Sequence, residues 1–216
     1  MDRRTSRIES DHATHVAGTV GASGINANAK GMAPKVNIDS YDWSFDESEM
    51  ASAGAASPTD SSAIPLSNHS YGTGSTIDDM GVYEAGAAKK DGLALDMPYY
   101  LIFWAAGNSR NPNDPDQPAL TSLGGYQSIT YDALAKNIMT VGAVQDAVSV
   151  GQRSLANASM TYFSSWGPSD DGRIKPDVVA NGWDLYSSSS SRQRHRPWDR
   201  RPCLNNSMPG SFPGSG

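Results

Sequence analysis

The sequence predicts an α/β fold, a mostly parallel sheet with helices on both faces. Three observations carry this. Two continuous apolar runs, at 99–106 and 137–144, read as strands buried on both faces. Stretches with helical spacing alternate with the strand-like runs. Turn-forming Gly, Pro and Asn punctuate the boundaries.

Taken in order, residues 11–22 are predicted as a helix, because Ser10 or Asp11 can cap it and Val16, Thr19 and Val20 lie at helical spacing. Gly31, Met32, Ala33 and Pro34 form a turn. Residues 36–41 alternate apolar and polar and read as a short strand. An Ala- and Ser-rich helix is expected over 45–56. A strand is expected over 63–68, with Pro65 confining it to an edge or a first position. Residues 78–91 read as a helix with Asp78 and Asp79 at its positive end and Lys89 and Lys90 at its negative end. The Pro- and Asn-rich stretch 109–127 is a loop long enough to carry function.

Composition narrows the classes. The chain has 216 residues, 38% of them hydrophobic, which argues against a collagen-like or fully disordered chain. No apolar run reaches the ~20 residues of a membrane span. The single cysteine, Cys203, excludes an internal disulfide framework and a multi-cysteine zinc site. The Met1 end has no apolar h-region, so no signal peptide is visible. The net charge of −6 is uneven: residues 187–216 carry five Arg against one Asp, leaving −10 on the first 186. That last stretch is rich in Ser, Pro and Gly and is expected to be an irregular tail. It lacks the aromatic interleaving of a nucleic-acid binder, so a solvated tail is expected and no nucleic-acid partner.

His12 and His15 are three apart and share a helical face. A zinc reading lacks the H-E-x-x-H pattern and a third ligand nearby. The other reading is one working histidine and one packing histidine. At a helix start the dipole disfavours a cationic ring, which suits His12 to accept a proton.

The sequence around it resembles a known family. Asp11-His12-Ala13-Thr14-His15-Val16-Ala17-Gly18-Thr19 is similar to the H-G-T-H-V-A-G-T motif of subtilisin-like serine proteases, with Ala13 in place of Gly. Further matches follow in the family's order: Lys30-Gly31-Met32-Ala33-Pro34, Asn68-His69-Ser70-Tyr71-Gly72, Ala105-Ala106-Gly107-Asn108, and the strand over 137–144. Phe163-Ser164-Ser165-Trp166-Gly167-Pro168 and Lys175-Pro176-Asp177-Val178-Val179-Ala180 complete the set.

The resemblance implies endopeptidase chemistry through an acyl-enzyme. His12 would be the general base and acid. Asn108 would donate to the oxyanion; in subtilisin, the family's namesake, such a donor is worth ~10²–10³ in rate. Ser70, Tyr71 and Gly72 would receive an extended peptide by strand addition. Ala105, Ala106 and Gly107 would wall the main specificity pocket, while His15 and His69 pack. The implied partner is an extended peptide or protein, the implied location secreted or extracytoplasmic, and the implied state monomeric. No cofactor is expected. Calcium is common in the family, yet no ligand set is identifiable.

Two family features are absent from the sequence as given. No D-[ST]-G or D-G-G strand precedes His12, and Asp11 is its neighbour on a helix, where adjacent side chains diverge. No G-T-S-M-A motif occurs; the nearest echo is Asn206-Ser207-Met208-Pro209, which makes Ser207 the remaining nucleophile candidate. The expectation is a stub over 1–10, a partial peptidase domain over 11–189 and an aberrant tail over 190–216, with little or no activity. The abrupt change of composition near Ser190 points to a reading-frame shift, which translation of the other two frames would test.

Overall fold

The computed structural model describes residues 11–72, 76–110 and 123–189. Three helices and six strands are present among them. Helix α1, Asp11–Gly21, opens on an acid, as the positive helix end favours. The turn that follows doubles back to serve its far end. The amides of Met32, Ala33 and Gly31 donate to the carbonyls of Thr19, Val20 and Ala22 at 2.8–3.0 Å. These bonds satisfy acceptors that a helix terminus leaves without partners.

Helix α2, Asp46–Ala53, is shorter than the sequence predicts and begins after Phe45, whose φ of 62° is left-handed. Strand β1, Leu66–His69, starts one residue beyond Pro65, at the first position open to full ladder pairing. Helix α3, Ala85–Asp96, is rich in Ala, Lys and Leu and ends just before Pro98. Strands β2, Leu101–Ala105, and β3, Met139–Val144, fall inside the two apolar runs. Strands β4, Val148–Ser149, and β5, Gln152–Arg153, form a small antiparallel pair. Strand β6 is Val178–Asn181.

The main sheet has the order β1-β2-β3-β6 and is parallel throughout. This bears out the α/β class and the parallel sheet. Ile102, Trp104 and Ala106 point to one face and are buried with Met50 of α2 and Ala87 of α3. The opposite side chains of β2, Leu101, Phe103 and Ala105, are less covered, and β6 is exposed along its length.

Two predicted elements are corrected. Residues 36–41 form no strand, and Val36, Ile38 and Tyr41 are about half exposed. Alternation makes a strand only where a ladder partner exists, and no described residue supplies one. The helix expected over 78–91 begins at Ala85. Asp78 and Asp79 belong to a separate 3-10 turn, Ile77–Asp79, where Asp79 caps Thr76 in a reciprocal capping box. Lys89 and Lys90 therefore lie mid-helix, and Lys90 is buried. The Lys-Pro-Asp motif joins β3 to β6. Lys175 Nζ donates to Asp177 Oδ2 at 2.7 Å, and the same carboxylate accepts the Thr140 amide at 2.7 Å.

Candidate functional site

Two of the candidate segments follow the C-terminal ends of parallel strands, where open α/β sheets present ligand sites. Ser70, Tyr71 and Gly72 follow β1, and Gly107 and Asn108 follow β2. The segment leaving β6 reaches α1, which carries His12. There, His15 Nε2 lies 3.1 Å from the Leu185 carbonyl, Ser187 Oγ donates to the His15 carbonyl at 2.8 Å, and Ser189 Oγ donates to Asp11 Oδ1 at 3.2 Å. His15 is thus a buried packing residue. Gly18 lets the segment approach, since a Cβ there would lie 2.6 Å from Ser188 Oγ. His12 is half-buried in the first turn of α1.

The turn after β2 is built around Gly107, whose φ of +105° suits glycine. Ser165 holds that turn at both ends. Its amide donates to the Gly107 carbonyl at 2.9 Å, and its Oγ accepts the Ser109 amide at 3.0 Å. Ser165 is fully buried. Neighbouring bonds secure its segment: Ser164 Oγ accepts the Ala143 amide of β3, and Arg110 Nη2 donates to the Thr161 carbonyl at 2.8 Å. Asn108 Oδ1 is buried with no hydrogen-bond partner among the described residues. Sequence reading missed Ser165 as a positioning group; its place in the Phe-Ser-Ser motif was the available signal.

Behind Ser70–Gly72 lies a buried polar cluster that the sequence reading did not assemble. His69 stacks on Trp104 with centroids 4.5 Å apart and planes 7° apart. Its Nε2 is 2.8 Å from Ser67 Oγ and its Nδ1 is 2.7 Å from Tyr71 Oη. Tyr71 Oη donates to Asp46 Oδ2 at 3.0 Å. Lys90 Nζ sits 3.0 Å from Glu47, 3.6 Å from Asp46 and 3.7 Å from Asp132. Burial pushes the His69 pKa down to about 4, with Lys90 adding to the effect and Asp46 opposing it. Burial, and then the Asp46 carboxylate, push the Tyr71 phenol up. Burial also raises Asp132, against the pull of Lys90.

Ser207, with the stub and the tail, lies outside the described residues. Among the described residues no group of three His, Cys, Asp or Glu is arranged to hold a metal ion. No described helix is long and apolar enough to cross a membrane.

Comparison with known proteins agrees with the motifs. An uncharacterized protein of Aquifex aeolicus is 35% identical over 97 residues, 44% of this chain and 42% of that protein. Pyrolysin of Pyrococcus furiosus is 28% identical over 111 residues, 44% of this chain and 7% of pyrolysin. The alignments thus span less than half of either relative. The sequence profile of the Subtilase family matches residues 1–206. With that match over nearly its full length, and a parallel sheet carrying the motifs at its strand ends, the chain belongs to the subtilase family.

Proposed function

We propose that this chain carries the peptide-binding and oxyanion-stabilising parts of a serine endopeptidase and hydrolyses little or no peptide as it stands. The observation that carries this reading is the Gly107–Asn108 turn, held at both ends by buried Ser165. A turn fixed in this way keeps a carboxamide oriented before substrate arrives, as oxyanion stabilisation requires. His12 takes the role of general base and Asn108 that of oxyanion donor. Ala105, Ala106 and Gly107 wall the pocket beside them. The space at Gly72, where a Cβ would meet no atom of the described residues within 4 Å, supports strand addition of an extended peptide along Ser70–Gly72.

The inactive reading rests on the motifs. Without an orienting Asp, the histidine tautomer is not fixed and the imidazolium is not stabilised. Without an activated Ser, the covalent route is closed. A fluorophosphonate serine probe tests this. No labelling is expected, and labelling abolished by Ser207→Ala would overturn the inactive reading. Isothermal titration with an extended peptide tests the second reading, a non-catalytic peptide binder on the same fold, which the space at Gly72 favours. Membership of the subtilase family supports an extracytoplasmic setting for either.

A further inference from the structure

We propose that Asp46, at the start of α2, is a positioning residue for the peptide-receiving edge and acts on it through the Tyr71 hydroxyl. The inference rests on the reading of Ser70–Gly72 as that edge. Its basis is a directional chain of hydrogen bonds. Asp46 Oδ2 accepts from Tyr71 Oη, so the Tyr71 oxygen is left to accept from His69 Nδ1–H. His69 Nε2 then accepts from Ser67 Oγ–H. The neutral Nδ1–H tautomer of His69 follows from the carboxylate at the far end, which only accepts.

Packing makes the chain stiff. Ser67, His69 and Tyr71 are two residues apart, so along the extended chain they point to the same face of the sheet. His69 lies flat on Trp104, and Tyr71 meets the same indole edge-on at 5.1 Å. Asp46 is itself held. Lys90 of α3 lies 3.6 Å from its Oδ2, with Glu47 of α2 and Asp132 of the 131–134 turn completing the cation's surroundings. Two helices thus brace the segment from the face of the sheet on which these side chains lie. The Ser67–His69 pair is not a second hydrolytic centre. His69 is buried and stacked, with both nitrogens engaged inside the fold.

The test is a double-mutant cycle on the full chain. The probe is the capped peptide acetyl-Ala-Val-Ala-Val-Lys amide, with affinity read by isothermal titration. Tyr71→Phe and Asp46→Ala should each weaken binding by about tenfold, and the double variant no further. Asp46→Asn, which keeps an acceptor for the Tyr71 hydroxyl, should restore most of the affinity. In ¹⁵N spectra His69 should show the Nδ1–H tautomer in the wild type and lose that preference in Tyr71→Phe. Wild-type affinity in Tyr71→Phe, additive losses in the double variant, or an unchanged His69 tautomer would each overturn the proposal. Gly72→Pro separates it from the reading beneath it. If the wild type binds no peptide, or Gly72→Pro binds as the wild type does, the edge assignment fails and the proposal with it. If Gly72→Pro abolishes binding while Tyr71→Phe leaves it intact, only the positioning role fails. Where Asp46→Ala does not fold, the Tyr71→Phe affinity and the His69 spectrum decide.

Discussion

Ser165 makes one backbone and one side-chain contact with the turn that carries Asn108, and each has a measurable consequence. Ser165→Ala leaves the Ser109 amide without its acceptor, at a cost of about 1–3 kcal/mol in urea unfolding. Gly107→Ala combines a left-handed φ with a Cβ 2.9 Å from Ser165 Oγ, and is expected to destabilise by more than about 1 kcal/mol. His69 gives a pH dependence whose sign follows from burial. Its pKa is about 4 in the folded chain, below the ~6.5 of an unfolded one. The unfolded state therefore binds more protons between these values. The stability associated with neutral His69 is fully present above pH ~6.5 and is lost as pH falls toward ~4, by about 3 kcal/mol at the limit. Urea titrations from pH 7 to pH 4 should show this fall, and His69→Leu should flatten it. That His69 packs inside the fold was legible through the family resemblance. The depth of burial was not, because it depends on Trp104 from the neighbouring strand.

At the scale of elements, Lys90 explains how α2, α3 and the 131–134 turn are held together. It is 1% exposed and faces three carboxylates while lying 5.3 Å from the Trp104 ring centroid. Lys90→Met keeps the length of the side chain and removes the charge, stranding carboxylates that are only partly exposed. A loss of about 3–5 kcal/mol is expected in thermal or urea unfolding. The same residue shows why α3 was misplaced. A lysine near the end of a charged, Ala-rich window reads as a cap, and nothing local reveals that its partners, Asp46, Glu47 and Asp132, come from far earlier and later in the chain. Strands β2 and β3 were legible because burial on both faces writes a continuous apolar run. Helix α1 was legible from its cap and spacing, and its Gly18 adds a check. Gly18→Ala would drive a Cβ to 2.6–2.7 Å from Ser187 and Ser188, costing about 1–3 kcal/mol by overpacking.

For the whole molecule, the parts of the candidate site are legible as motifs, while their support is not. His12 and Asn108 were found because their neighbours in sequence form family signatures. Ser165 and Asp46 act across the fold, from sheet-end loops and helix starts that only tertiary packing brings near. The class of fold needed no such information, since a parallel sheet follows from the alternation of buried strands with helices.

The stretch 36–41 has a consequence of a different kind. Its backbone joins no ladder among the described residues, and its side chains are largely open to water. Proteases accept chains in that state, and exposed segments with few protecting bonds are cut first. Lys35 immediately before it is exposed as well. Dilute trypsin should nick the native chain after Lys35 before it reaches buried Lys90. A protein of protease lineage thus holds out, in its own sequence, the kind of segment that another protease would seize.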